Sequence, residues 1–183
     1  MNRNVPNYLT MFRVVLVPFV VFFLLTALPI PHKTHIALAL FIVASLTDLL
    51  DGKIARKYNL ITTFGKFADP LADKLLVDSV LIALAVQGRV PAWIVITIIA
   101  REFIISGLRL VAAEKGIVLA ASWWGKCKTA VQMVTVVLLL AELPGQAIHV
   151  LEQVLIWASL ALTVISMADY LYRNRHVFAE EAK

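Results

Sequence analysis

Long apolar runs separated by short polar stretches dominate this sequence, and they restrict its fold more than any other feature. Apolar residues make up 61% of the chain and charged residues only 16%, and the mean hydropathy is +0.85. This composition is typical of an integral membrane protein and argues against an ordinary soluble domain. The length of 183 residues suits one domain, which we place at residues 1–183.

Prolines at positions 29, 31, 91 and 144 mark the connections between apolar runs on one side of the membrane. The predicted membrane helices lie at residues 8–29, 35–57, 66–87, 91–114, 122–142 and 147–172. The residues before the first helix mix polar and apolar side chains, as an interfacial segment does. The predicted fold is therefore an all-α polytopic membrane protein, with six transmembrane helices and an N-terminal interfacial segment.

The distribution of lysine and arginine predicts the orientation of these helices. Six spans place both termini on one side, and 13 of the basic residues fall on that side, whereas only Lys33 and Arg89 fall on the other. Since basic residues favour the cytoplasmic side, we predict a multi-pass protein of the cell membrane with both termini in the cytoplasm. The formal net charge of +5 then faces the anionic inner leaflet and requires no nucleic-acid partner. Aromatic residues near the span ends are interpreted as interfacial: Trp93, Trp123, Trp124, Trp157, Tyr170 and Tyr172.

Four aspartates occur at helical spacing around the connection between the second and third predicted helices. Asp48 and Asp51 are three residues apart and Asp69 and Asp73 four, so each pair lies on one face of its helix. The run 36–50 has only fifteen residues, fewer than the ~20 that a span needs. The aspartates are therefore expected within the inner part of the membrane, where acidic residues mark a functional site. Carboxylates this close repel one another unless a cation lies among them, and an oxygen-only ligand set suits Mg²⁺, Mn²⁺ or Ca²⁺.

The pattern Asp-Gly-x2-Ala-Arg-x8-Gly-x3-Asp-x3-Asp at residues 51–73 resembles the defining motif of the CDP-alcohol phosphatidyltransferases. The matching residues are Asp51, Gly52, Ala55, Arg56, Gly65, Asp69 and Asp73, and Asp48 supplies the additional upstream aspartate. The resemblance implies an enzyme that transfers a phosphatidyl group from CDP-diacylglycerol to an alcohol and releases CMP. It also implies a homodimer in the lipid bilayer. The bias of basic residues places the motif loop, and with it the active site, in the cytoplasm.

The same resemblance assigns roles to the residues of the motif. Asp48, Asp51, Asp69 and Asp73 are expected to bind Mg²⁺ or Mn²⁺, with two ions per site. Asp73 is also expected to deprotonate the acceptor hydroxyl as the catalytic base. The residues expected to bind CDP-diacylglycerol are Asp48, Asp51, Gly52, Ala55, Arg56, Gly65 and Asp69.

Basic residues in and after the fourth predicted helix are the candidates for binding the acceptor. Ala-Arg-Glu-Phe-x3-Gly-Leu-Arg at 100–109 and Gly-Lys-x-Lys-Thr at 125–129 resemble the phosphatidylglycerophosphate synthase branch of the family, which uses sn-glycerol 3-phosphate. The residues expected to bind the acceptor phosphate are therefore Arg101, Arg109, Lys126 and Lys128. Two alternatives stay open: a structural ion pair made by Glu102, and the ordinary excess of lysine on the cytoplasmic side.

Near the N-terminus, Asn7, Thr10 and Arg13 form an Asn-x2-Thr-x2-Arg pattern that also resembles this branch. In that interpretation the three side chains line the cavity as one stripe. The alternative is an amphipathic interfacial anchor from which Arg13 extends its charge to the membrane surface.

Several other functions remain open at this point. Within the family, the acceptor could instead be serine, inositol phosphate or phosphatidylglycerol, although a neutral acceptor needs fewer basic residues. Outside it, a cation transporter could use four intramembrane carboxylates, but polar groups would then be expected across the whole membrane depth. A structural membrane scaffold would have no use for a buried acidic cluster.

Overall fold

The computed structural model describes the backbone of residues 5–57, 63–114, 116–117, 119–120 and 122–175. Within these ranges, side chains are described for residues 10–47 and from residue 71 onwards.

Six α-helices and no strand make up the described backbone, which confirms the predicted all-α class for these residues. They are α1 (Val5–Leu25), α2 (Lys33–Lys57), α3 (Thr63–Val86), α4 (Ala92–Glu114), α5 (Trp123–Ala141) and α6 (Gln146–Arg173). Each predicted span corresponds to one helix. The largest difference is at α1, which begins and ends several residues before the predicted bounds 8–29. Its end precedes Pro29 and Pro31, and the carbonyl of Phe22 accepts the last helical hydrogen bond, from the Thr26 N–H at 2.8 Å.

Two of the described helices, α5 and α6, are long and apolar enough to cross a membrane by length and composition. The apolar parts of α1 and α2 are shorter, at Thr10–Leu25 and Lys33–Thr47. Large apolar side chains are nevertheless exposed on all six helices, among them Phe19, Leu46, Val86, Phe103, Trp123 and Val154. An apolar outer surface of this extent is typical of a protein surrounded by lipid or by other hydrophobic partners.

The helices fall into two compact units, and the first consists of Met1–Val90 together with Val136–Glu142. In this unit α1 packs against α2 and α3, around fully buried side chains such as Val20, Phe41 and Val80. Polar side chains bind backbone carbonyls at the helix ends opposite the aspartate motif. Gln87 Nε2 donates to the Leu24 carbonyl at 2.7 Å, and Lys33 Nζ donates to the Thr26 carbonyl at 2.6 Å. These bonds satisfy carbonyl groups that a helix end leaves without a partner.

Arg89 connects α3 to the end of α5 within the same unit. Its guanidinium donates to the Leu139 carbonyl and forms an ion pair with Glu142 at 3.1 Å. The last turn of α5 is thereby attached to the first three helices.

The second unit consists of Pro91–Thr135 and Leu143–Lys183. Here α4 packs against α6, and Trp93 lies against Trp157 with ring centroids 5.8 Å apart. The buried face of α6 is largely polar: Glu152, Ser159, Thr163, Ser166 and Tyr170. On this face, Ser159 Oγ and Thr135 Oγ1 of α5 form a hydrogen bond of 3.1 Å. Small polar residues at such positions allow membrane helices to approach closely and to bond to each other.

Candidate active site

The aspartate motif lies on two consecutive helices that pack against each other in the first unit. Asp48, Asp51, Gly52, Ala55 and Arg56 belong to the last three turns of α2, which ends at Lys57. Gly65, Asp69 and Asp73 belong to α3, which begins at Thr63. Both halves of the motif are helical, as the spacing of the aspartates predicts.

Asp73 is the one motif residue whose side chain lies in the described ranges. It is half-buried on α3, between the buried side chains of Ala72 and Leu76. The other motif residues have side chains outside those ranges: Asp48, Asp51, Gly52, Ala55, Arg56, Gly65 and Asp69. The side chain of Asn7 also lies outside them. Two aspartate pairs on adjacent helices still supply an oxygen-only ligand set, which fits Mg²⁺ or Mn²⁺. Metal and nucleotide binding by these residues stays a prediction.

Thr10 and Arg13 lie inside the first unit. Arg13 is fully buried, and its Nε donates to the Ala44 carbonyl of α2 at 3.4 Å. Ala44 lies one helical turn before Asp48. A buried guanidinium bound to a neighbouring helix does not extend to the membrane surface, so the interfacial alternative is wrong for Arg13. A role of Asn7, Thr10 and Arg13 in lining a cavity stays a prediction.

Three charged residues form a buried cluster in the second unit: Arg101, Glu102 and Lys128. Glu102 Oε1 accepts a hydrogen bond from Lys128 Nζ of α5 and another from Arg101 Nη1 at 3.3 Å. The ion pair that was an alternative to an anion site is therefore present, and it joins α4 to α5. Among the described side chains, the Glu102 carboxylate thus pairs with both cations of the cluster.

Gly125 lies beside this cluster at the start of α5. A Cβ added at this position would lie 3.4 Å from Arg101 Nη2, at van der Waals contact, so the Arg101 guanidinium lies directly against the backbone at Gly125. Arg101 Nε is buried and has no hydrogen-bond partner among the described residues. The Arg101 guanidinium therefore still has a donor available for a ligand.

The remaining two basic candidates have different surroundings. Lys126 is exposed on α5. Arg109 is exposed on α4, and its guanidinium lies over the ring of Tyr170 on α6, 5.7 Å from the ring centroid. Only 2% of Tyr170 is exposed, so its ring packs inside the protein, and its position at the membrane interface stays a prediction. The helical spacing of seven places Glu102 and Arg109 on one face, but Glu102 pairs with Arg101 and Lys128 instead.

The sequence did not place Glu102 or Tyr170 among the candidate ligand-binding residues. In the structure, Glu102 is the centre of an ion cluster and Tyr170 is a buried aromatic residue. Glu102 carries a weak signal, because a carboxylate in an apolar helix next to arginine requires a partner. Tyr170 carries none, since a tyrosine near the end of a span is ordinarily interfacial.

Comparison with known proteins decides the family of this chain. The sequence model of the CDP-alcohol phosphatidyltransferases matches residues 3–165. The chain belongs to this family. Residues 3–165 of this phosphatidyltransferase include the aspartate motif, Arg101, Arg109 and both candidate lysines, and they end before Tyr170.

Curated relatives of this phosphatidyltransferase cover nearly its whole length. A Bacillus subtilis protein named CDP-diacylglycerol–glycerol-3-phosphate 3-phosphatidyltransferase is 42% identical, over 93% of this chain and 95% of its own. A Rickettsia felis protein of the same name is 37% identical, over 97% of this chain and 98% of its own. A Mycobacterium tuberculosis (strain H37Rv) protein named probable phosphatidylglycerophosphate synthase is 41% identical, over 93% of this chain and 81% of its own.

Proposed function

We propose that this protein transfers the phosphatidyl group of CDP-diacylglycerol to sn-glycerol 3-phosphate, giving phosphatidylglycerol phosphate and CMP. The observation that carries the proposal is the name shared by relatives that are 37–42% identical over most of both chains. Family membership supports the transfer chemistry, and the basic residues of the second unit support a phosphorylated acceptor.

In the proposed reaction, the acceptor hydroxyl attacks the phosphorus that carries diacylglycerol. A new P–O bond forms, the pyrophosphate P–O bond of the donor breaks, and CMP leaves with those electrons. Asp73, a half-buried carboxylate on α3, takes the proton from the attacking hydroxyl as general base. Arg56 contacts the donor phosphates, and Gly52, Ala55 and Gly65 leave space for the nucleotide.

We further propose that Asp48, Asp51, Asp69 and Asp73 hold two Mg²⁺ or Mn²⁺ ions. When bound, such ions neutralise the charge of the pyrophosphate and of the leaving phosphate. The support is the chemistry of the donor set: four carboxylates on two packed helices would repel one another without a cation.

The acceptor phosphate is assigned to Arg101 and Arg109, with Lys126 as an outer contact. Arg101 has an unused Nε donor among the described groups, and arginine can hold a phosphate with two parallel hydrogen bonds. Lys128 contributes indirectly, because Glu102 engages its ammonium and the pair helps to fix Arg101. The basic residues Arg101, Arg109 and Lys126 in this part of the chain favour an anionic acceptor over a neutral one such as serine.

The proposed setting is the cell membrane, with six spans, one domain over residues 1–183, and the active site and both termini in the cytoplasm. Exposed apolar side chains on every helix and the apolar lengths of α5 and α6 support the membrane setting. We include a homodimer in the proposal, and its support is the resemblance to the family.

One assay tests the proposal. Purified protein in detergent receives CDP-diacylglycerol with glycerol 3-phosphate, serine, inositol phosphate or phosphatidylglycerol, and CMP release is measured for each acceptor. Glycerol 3-phosphate is expected to give by far the highest rate. A chelator is expected to abolish that rate, and Mg²⁺ or Mn²⁺ to restore it. Turnover with serine but not with glycerol 3-phosphate would refute the acceptor, and full activity in excess chelator would refute the metal site.

A further inference from the structure

Arg13 places a charge in the interior of the first unit, on a stripe of α1 whose other described residues are uncharged. Positions three and four apart lie on one face of a helix. The buried residues of this stripe are Thr10, Arg13, Val17, Val20 and Leu24. An apolar side chain would fill the position of Arg13 at a lower cost, because burying a charge is expensive. A fully buried arginine at this position therefore indicates a specific task.

The helix against which α1 packs has a matching stripe, and this stripe leads to the aspartate motif. On α2 the buried positions are Thr34, Ala37, Phe41 and Ala44. The same spacing of three and four continues to Asp48 and Asp51, and α2 remains helical as far as Lys57. By helical register, the buried face of α2 is thus the face that holds the first aspartate pair.

Arg13 contacts this stripe one helical turn before Asp48. Its Nε donates to the Ala44 carbonyl at 3.4 Å, and the small side chain of Ala44 allows the guanidinium to approach the backbone. In an α-helix a carbonyl accepts the amide N–H four residues later, so the Ala44 carbonyl is also the acceptor of the Asp48 N–H. A carbonyl oxygen has two lone pairs and can accept both bonds. Arg13 thereby connects α1 to the helical turn that carries Asp48.

We propose that Arg13 is a positioning residue of the active site, which fixes the Asp48 turn of α2 through the Ala44 carbonyl. This inference rests on the proposed function, in which Asp48 binds Mg²⁺ or Mn²⁺. The groups of such a site must be held to within about 0.5 Å, and residues behind the ligands supply that precision. A hydrogen bond from a charged donor is stronger than one between neutral groups and is suited to this task.

The test measures Mn²⁺ binding directly, from the electron paramagnetic resonance signal of free Mn²⁺, with purified protein and no substrate. Arg13→Met removes the guanidinium and keeps much of the side-chain volume. It is expected to raise the Kd for Mn²⁺ roughly 10–100-fold, the loss typical when a group that orients a metal ligand is removed. A charge effect alone would act in the opposite direction, because a positive group repels a cation and its removal would tighten binding. The sign of the change therefore distinguishes positioning from charge.

The matched control is Arg89→Met in the same unit. Arg89 also donates to a backbone carbonyl of another helix, that of Leu139, but it follows the end of α3 that is remote from the aspartates. This variant is expected to unfold at a lower temperature and to keep the Kd for Mn²⁺ within about 3-fold of wild type. An equal loss of Mn²⁺ affinity in both variants would reduce the effect of Arg13 to general destabilisation and overturn the inference. Arg13→Lys keeps the charge without the planar fork, and an intermediate Kd is expected.

Hydrogen exchange in wild type gives a second measurement, for which no variant has to fold. If Arg13 fixes the Asp48 turn in advance, the amides of residues 44–48 are expected to exchange slowly both with and without Mn²⁺. Protection that arises only after Mn²⁺ is added would show that the ions order this turn, and would contradict the inference.

The outcomes separate this inference from the proposed function. If wild type binds Mn²⁺ and Arg13→Met binds it equally or more tightly, the inference is wrong and the proposed function stands. If Mn²⁺ binding is unchanged and the KM for either substrate rises, Arg13 contacts substrate, which also overturns the inference. If wild type binds no Mn²⁺, the proposed metal site itself fails, and this inference fails with it.

Discussion

Asp73 lies on α3, and its side chain is half-buried. Asp73→Asn is expected to lower turnover by ~10²–10⁴-fold, because the amide cannot accept the proton of the attacking hydroxyl. Binding of CDP-diacylglycerol should change little, which equilibrium binding of the donor measures separately from the rate. Asp78→Asn, five residues further along α3, is the control for removing a charge from this helix. A variant at Asp73 that keeps more than about a tenth of the wild-type rate would remove Asp73 from the role of base.

Glu102 accepts hydrogen bonds from two cations inside the second unit. Glu102→Gln removes the counter-charge that Glu102 supplies to the buried Lys128 and Arg101, which is expected to lower the free energy of unfolding by ~3–5 kcal/mol. The measurement is thermal or denaturant unfolding in detergent. Glu142→Gln is the matched control, because Glu142 also pairs with an arginine but lies exposed, where such a pair contributes ~0–1 kcal/mol. Equal losses in the two variants would show that burial does not decide the strength of the Glu102 cluster.

The residues of the site were predictable to different degrees, for physical reasons. The aspartates are recognisable because helical spacing within one segment fixes which side chains share a face. Glu102 and Tyr170 depend on how α4, α5 and α6 pack, and that packing brings together residues 26 positions apart in the chain for Glu102 and Lys128. Spacing within one helix carries no information about such contacts. The sequence therefore predicted an ion pair of Glu102 without indicating that Lys128 is a partner.

Among the elements, α5 and α6 are joined by a hydrogen bond between Thr135 and Ser159. Thr135→Val keeps the volume of the side chain and removes this bond, and it is expected to lower the free energy of unfolding by ~0.6–1.7 kcal/mol. The control is Thr129→Val on the same helix, since the Thr129 hydroxyl is exposed and bonds only to the Gly125 carbonyl of its own helix. Unfolding in detergent compares the two variants. The same loss in both would mean that the bond between helices contributes nothing beyond helix propensity.

The existence of the helices was easier to predict than their ends. Each apolar segment gave one helix, because the hydrophobic run and the flanking prolines act locally. At α1 the polar residues before the apolar run were assigned to a separate segment, yet the helix starts at Val5. A helix continues through polar residues when nothing in the backbone interrupts it, and hydropathy alone does not detect that continuation.

For the whole molecule, the bias of 13 basic residues against 2 predicts a definite topology. Cysteines placed near Lys57 or Lys115 are expected to react with an impermeant reagent only from the cytoplasm, and one near Lys33 only from outside. Labelling of intact cells and of inverted vesicles measures both. The background protein should carry Cys127→Ala, since Cys127 is partly exposed. Labelling from the opposite sides would reverse the orientation and place the active site outside.

The division of α5 between two units has a consequence for how the protein is made. The first unit needs Val136–Glu142, although the rest of it ends at Val90. A ribosome that has finished α3 has therefore not yet synthesised the segment that Arg89 must hold. The helices that carry the aspartates exist without this contact until more than forty further residues have been added. Completion of the unit that carries the aspartate motif is consequently a late event in biosynthesis, and a message truncated between α4 and α5 would yield chains that contain every motif aspartate but lack Val136–Glu142.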